Sequence, residues 1–303
     1  MSGGERTDEQ PSATLTELVA DSFGVTLRPS EGWAGEESVG WRTQSPAGER
    51  FVQRLAPWRD ISALEWCDAV ARSASMAAPE CVHAIPSRTG AAAVMSSEGP
   101  VMVFPYVEGT HGWYEGIELD AAALLARIHK GLATSWPGGS VRAVAHGRDA
   151  GADGRDRLVD DELDRWERSS TATPATLPIH GDYYAGNLLT RDDVIVGVID
   201  WSDAYIAPQE REVSWAVWEF CHTDEGDDLV DEQAEAFLRT YIDAGGPAPV
   251  AKPFDPCPWI RVRLRAEARA WFADPRSQSE ISEYHEAEVV AFERLRSRRL
   301  PGR

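Results

Sequence analysis

The stretch His180-Gly181-Asp182-Tyr183-Tyr184-Ala185-Gly186-Asn187 is followed, thirteen residues after Asn187, by Asp200 at the end of Val196-Gly197-Val198-Ile199-Asp200-Trp201. A short apolar run, residues 177–179, precedes the first segment, and a second run, residues 194–199, leads into Asp200. Asp182 and Asn187 lie on the bend between the two runs, so three oxygen-bearing side chains are expected to project towards one point without a long loop. Phosphoryl transfer needs this set of residue types. A carboxylate must orient the attacking hydroxyl and accept its proton, while an Asn oxygen and a second carboxylate hold magnesium on the nucleotide phosphates. Asp182 is therefore read as the base, and Asn187 and Asp200 as the metal ligands. A similar string, His146-Gly147-Arg148-Asp149, is a decoy: the position five after Asp149 is Gly154, and no apolar run follows.

Outward from the motif, the two sides of the chain differ in character. Residues 1–12 read as a loose tail. A short helix follows, with Thr14 as N-cap, Glu17 three residues on and Gly24 as its stop. Residues 25–57 alternate around turn signals and predict a three-stranded meander, ending in Phe51-Val52-Gln53-Arg54-Leu55. Residues 60–77 have helical composition, with Ile61, Leu64, Trp66 and Val70 on or near one stripe, and two further strands meet at Glu98-Gly99-Pro100. After Gly109 the pattern becomes helical over residues 118–136. A Gly, Ala and Asp-rich linker covers 137–157, a charged helix follows, and from residue 208 the chain reads as four more helices. The division expected is a flexible tail at 1–12, a small β-rich half at 13–107 and a larger helical half at 108–303.

The loop spacing is shared with protein kinases. More closely, the chain resembles the aminoglycoside phosphotransferase and choline kinase superfamily of small-molecule kinases, in which the loop reads His-Gly-Asp-x-x-x-x-Asn and the metal Asp sits in an Ile-Asp-Trp-like tripeptide. The resemblance runs, more weakly, from about Val25 to about Gly246. It implies a bilobal protein-kinase-like α+β fold, with a nucleotide-binding β-rich N-lobe and a helical C-lobe that holds the catalytic loop and the acceptor. Magnesium and ATP, or GTP, are the implied cofactor and co-substrate.

Within that frame, Gly32-Trp33-Ala34-Gly35-Glu36-Glu37-Ser38 forms a turn whose backbone at Gly35 and Ser38 lies over the phosphates, with Glu36 and Glu37 facing solvent. No lysine precedes residue 130, so Arg54, on one strand face with Val52, is assigned as the phosphate cation, with Glu65 as its partner. Phe104 is expected behind the adenine, which would bond the Pro105 C=O and the Val107 N–H. The acid that usually anchors the catalytic loop in the family has no Asp here, and Glu210 or Glu212 stands in its place. His129, in a helix-ending pattern, is read as packed structure.

Composition bounds the partners. Fifty acidic residues against 30 basic ones give a net charge of −20, which repels a nucleic-acid backbone or an anionic bilayer. Cys67, Cys81, Cys221 and Cys257 show no metal-binding spacing, and no leader or membrane-spanning run is evident, so a cytoplasmic location is expected. Trp215, Trp218, Glu219 and Asp224 combine aromatic faces with carboxylates and suit a cationic acceptor. An antibiotic is the first choice of acceptor, and a primary metabolite such as choline, homoserine or a sugar is the alternative. Few residues separate Asp200 from Glu212, which leaves little room for the peptide-docking segments of protein kinases. A pseudokinase that only binds nucleotide would not need Asp182, Asn187 and Asp200 together. Oligomeric state is not legible.

Overall fold

Residues 5–12 are tied down rather than loose. In the structure, a computed structural model describing residues 5–35, 37–139, 156–171, 176–247, 254–273 and 283–300, strand β1 (Glu5–Arg6) pairs antiparallel with residues 33 and 34. Trp41 donates its Nε1–H to the Glu9 C=O at 2.8 Å. The expected flexible tail therefore fails from residue 5 onward, because an open sheet edge offers backbone groups that the segment can satisfy. Ser12, not Thr14, caps helix α1 (Ala13–Phe23), accepting the Leu15 N–H at 3.1 Å, and Gly24 ends it in the left-handed conformation. The linker with its decoy motif at 146–149, and Glu36, fall outside the described residues.

The expected meander forms as β2 (Pro29–Ala34), β3 (Ser38–Ser45) and β4 (Gly48–Leu55), all antiparallel. Helix α2 (Ile61–Ser75) follows, with Asp60 as its cap. Strands β5 (Ala93–Ser96) and β6 (Gly99–Pro105) complete a six-stranded sheet in the order β1-β2-β3-β4-β6-β5. Alternation gives the sheet two faces. Trp41, Val52, Val101 and Val103 pack against Leu15 and Val19 of α1, while Leu55 and Met102 pack with Leu64 of α2.

The chain divides into two compact units: residues 1–115, 134–141 and 185–204, and residues 116–133, 142–184 and 205–303. This differs from a single cut after residue 107. The reason lies in a small second sheet of the first unit, where β7 (Thr110–His111) pairs with β9 (Leu188–Arg191), itself paired with β10 (Val194–Val198). That pairing takes the hairpin formed by β9 and β10 into the sheet-bearing unit.

The second unit is mostly helical. It contains α3 (Ile117–Thr134) up to residue 133, α4 (Asp161–Thr171), α5 (Gln209–Cys221), α6 (Asp231–Asp243), α7 (Cys257–Ala273) and α8 (Glu283–Arg294). A two-stranded ribbon joins β8 (Leu177–Ile179) to β11 (Tyr205–Ala207). The fold class is α+β, with a β-sheet N-terminal region and a helical C-terminal region. The four cysteines are buried. No helix among the described residues is long and apolar enough to cross a membrane.

Gly99, in the β5–β6 turn, has φ 130°, and a Cβ placed there would lie 2.1 Å from the Leu55 carbonyl oxygen. Gly99→Ala is expected to cost about 3 kcal/mol through backbone strain and overpacking. Urea unfolding should show a lowered midpoint at unchanged slope.

Candidate functional site

Hairpin geometry positions the two expected metal ligands. Arg191 pairs with Val194, leaving Asp192 and Asp193 as a two-residue loop with φ of 52° and 56°, the left-handed pair of a type I′ turn. At the other end of the hairpin Leu188 pairs with Val198, and the Ile199 N–H donates to the Asn187 C=O at 3.0 Å. Asn187 thus closes the way into β9, and Asp200 stands two residues beyond β10. Asp200 is a non-glycine residue with φ 59° and ψ 63°, a conformation that costs about 1 kcal/mol or more. The following turn holds it: the Ser202 hydroxyl donates to Asp200 Oδ1 at 2.8 Å, and the Trp201 indole N–H donates to the Val198 C=O at 3.2 Å.

Asn187 and Asp200 line one cavity of about 640 Å³, all of whose walls belong to the first unit. Gly35 and Ser38 of the β2–β3 turn line it too, as do Phe104, Pro105 and Val107 at the end of β6. Its size is that of a site for a nucleotide-sized ligand. Asn187 and Asp200 supply only oxygen donors. Such a pair fits magnesium, which commonly takes one or two protein oxygens and completes its shell with waters and substrate phosphates.

Two expected nucleotide contacts are corrected. Along β4 the residues that line the cavity are Phe51, Gln53 and Leu55, whereas Val52 and Arg54 belong to the opposite face. The Arg54 guanidinium is held by Glu98 at 2.7 Å and Glu9 at 2.8 Å. The sequence pattern gave the shared face of Val52 and Arg54 but not which face looked inward. Glu65 is not its partner either, since its carboxylate accepts the Ala93 N–H at 3.0 Å. Gln53, at the cavity-facing position, donates to the Ser38 hydroxyl at 3.1 Å.

In the second unit, Asp182 follows Gly181, whose φ of 89° suits glycine. The Gly181 N–H donates to Glu212 Oε1 at 2.6 Å, and the other Glu212 oxygen lies 2.7 Å from His129 Nε2. His129 Nδ1 lies 2.8 Å from the Tyr241 hydroxyl. Both ring nitrogens of His129 thus meet a polar partner. Glu212, 3% exposed, is therefore the loop anchor that the sequence left open between two glutamates, and His129 is its support. Burial alone would raise the Glu212 pKa. The His129 contact, the nearness of His180 and the Gly181 N–H outweigh it, so the carboxyl is held below the usual range.

Asp182 has an unforeseen neighbour. Arg263 of α7 places Nη2 3.8 Å from Asp182 Oδ1, pairs with Glu267 and lies over the Trp215 ring at 5.0 Å. Its only signal in the sequence was the i,i+4 spacing of Arg263 and Glu267. The Trp and acid segment separates in the fold. Trp215 and Trp218 are buried, Trp218 packs on His222, and Asp224 sits in an exposed turn past the end of α5. Glu219 also stays near Asp182: burial, then Glu267 and Asp182, push its carboxyl up to about 8 against the pull of Arg263.

An α+β chain with these two loops has the architecture of the protein-kinase-like phosphotransferases. A profile of the phosphotransferase enzyme family matches residues 34–293, and the chain belongs to that family. Its members are small-molecule kinases acting on hydroxyl groups. Among solved structures, a spectinomycin phosphotransferase in complex with ADP and spectinomycin is 15% identical, with a TM-score of 0.64 over 94% of this chain and 98% of that one. An amicoumacin kinase bound to AMP-PNP and Ca2+ is 12% identical, with a TM-score of 0.66 over 95% and 92%. A choline/ethanolamine kinase family protein from Mesorhizobium loti is 15% identical, with a TM-score of 0.62 over 93% and 94%. No curated protein matches the chain.

Because folding lowers the Glu212 pKa below the ordinary 4.5, its carboxylate stabilises the fold fully above that value and loses the contribution as pH falls through the folded pKa. Glu212→Gln should lose about 2 kcal/mol at neutral pH. Unfolding measured between neutral pH and pH of about 3 should show the gap from wild type closing on the acid side.

Proposed function

We propose that the chain transfers the γ-phosphoryl group of ATP, with magnesium, to a hydroxyl of a small cationic molecule, with an antibiotic as the first choice. The observation that carries the nucleotide half is the sharing of one cavity by Asn187, Asp200 and the Phe104 to Val107 segment. In this reading the base packs on Phe104, the Pro105 C=O and Val107 N–H hold its edge, and Gly35 and Ser38 cover the phosphates. Asn187 Oδ1 and the Asp200 carboxylate would hold the magnesium, which supplies charge neutralisation on the phosphate oxygens. Asp182 orients the acceptor hydroxyl and takes its proton as the oxygen attacks. Gly181 N–H on Glu212 fixes the backbone beside it. GTP remains a co-substrate to be tried beside ATP.

The acceptor's charge is argued from the surroundings of Asp182. Burial first, and then the nearby Glu267 carboxyl, raise the pKa of both Glu219 and buried Glu288 above the usual range, and Asp182 adds to the effect on Glu219. Carboxyls forced neutral in an empty site are recharged by an incoming ammonium. Amicoumacin and spectinomycin kinases among the similar structures support an antibiotic, and the choline/ethanolamine kinase family supports a cationic primary metabolite as the alternative. A charge of −20 supports an enzyme without a nucleic-acid partner, and the wide spacing of the four buried cysteines along the chain supports a cytoplasmic one.

Labelled ATP offered with a panel of cationic antibiotics, choline and homoserine tests this reading. Transfer to an antibiotic supports it, and turnover with choline or homoserine alone selects the alternative. Asp182→Asn should lower kcat by roughly 100-fold or more while leaving nucleotide affinity within about twofold. Because Glu219 titrates near 8, binding of a cationic acceptor at neutral pH should release protons, visible as a dependence of the calorimetric heat on buffer ionisation enthalpy.

A further inference from the structure

The cavity face of β4 carries Gln53, and Arg42, the cavity-lining cation on β3, is already held by Glu49 at 2.7 Å and lies over the Tyr106 ring at 4.1 Å. A different arginine joins the two segments on which nucleotide and metal depend. Arg59, between β4 and α2, places Nη2 2.5 Å from Glu37 Oε2 and Nη1 3.2 Å from Asp203 Oδ1. Glu37 adjoins Ser38, and Asp203 adjoins Ser202, both of which line the cavity. The Arg59 side chain is 13% exposed and Asp203 26%, so this pair is better shielded from water than the Glu37 pair, whose carboxylate is 40% exposed.

Asp203 ends the short turn that begins at Asp200 in its left-handed conformation. The backbone there stays strained only if its surroundings over-determine it. Cys67 of α2 faces the Ser202 and Ala204 carbonyl oxygens at 3.6 Å from behind, and the Asp203 carboxylate is fixed from the side by Arg59. Resting on the phosphotransferase reading, we propose that Arg59 is a positioning residue for the metal site: it locks the turn that aims Asp200 and ties it to the Gly35 to Ser38 turn over the phosphates.

The test exploits a difference in sign. If Arg59 acted only through its charge, removing it would strengthen magnesium binding, because a nearby positive charge would be gone. If it acts by positioning, Arg59→Gln should raise the magnesium concentration for half-maximal binding of a non-hydrolysable ATP analogue by roughly 10- to 100-fold, as loss of an outer-shell partner does. Binding of adenosine without metal should stay within about twofold of wild type, since the base contacts lie elsewhere. Asp203→Asn, which leaves Arg59 on Glu37, should shift the magnesium requirement in the same direction, and the double variant should go little beyond Arg59→Gln.

An unchanged or lowered magnesium requirement in folded Arg59→Gln overturns the inference. So does an equal loss of adenosine binding, which would mark general damage to the cavity, or full additivity in the double variant. A wild-type protein without magnesium-dependent nucleotide binding would instead overturn the phosphotransferase reading itself, and this inference with it.

Discussion

One buried carboxylate organises the catalytic half of the molecule. Glu212 takes the Gly181 N–H on one oxygen and faces His129 on the other, and His129 in turn meets Tyr241. Three helices, α3, α5 and α6, are thereby fixed to the backbone beside Asp182. A charge so deep is tolerated only because each of its oxygens is satisfied, and loss of any partner would leave a group costly to bury. Glycine at 181 follows from the same constraint, because the chain must turn through a left-handed conformation to present its N–H.

The sheet-bearing unit meets a comparable demand by other means. A type I′ turn sets the register of the β9–β10 hairpin, the register brings Asn187 level with Ile199, and a strained turn then swings Asp200 onto the same cavity. Strain at Asp200 is sustained by Ser202, by Trp201 and, through Asp203, by Arg59. Oxygen-bearing side chains such as those of Asn187 and Asp200 suit a metal carried largely by substrate phosphates.

Legibility in the sequence followed from how local each feature is. The meander, α2, the helices after 208 and the pair Asn187 and Asp200 on one hairpin depend on short-range periodicity and turn chemistry, and they read through. Side-chain choice across elements did not. The shared face of Val52 and Arg54 was visible, but which face met the cavity depended on α1 packing against Val52. Glu212 could not be told from Glu210, since only the buried His129 selects between them. Arg59 and Arg263 carry no motif, because their meaning arises from Glu37, Asp203 and Asp182, partners 22, 144 and 81 positions away. Trp215 and Trp218 read as ligand faces but serve as packing, with an internal arginine over Trp215 where a bound cation was expected.

The sheet-bearing unit is expected to receive a metal nucleotide in the cavity that Asn187 and Asp200 share. A crystal structure of the protein with magnesium and a non-hydrolysable ATP analogue tests it most directly. The account predicts the base against Phe104, Pro105 and Val107, with the metal on Asn187 Oδ1 and the Asp200 carboxylate. Nucleotide bound in another part of the molecule, or a metal that touches neither side chain, would contradict it.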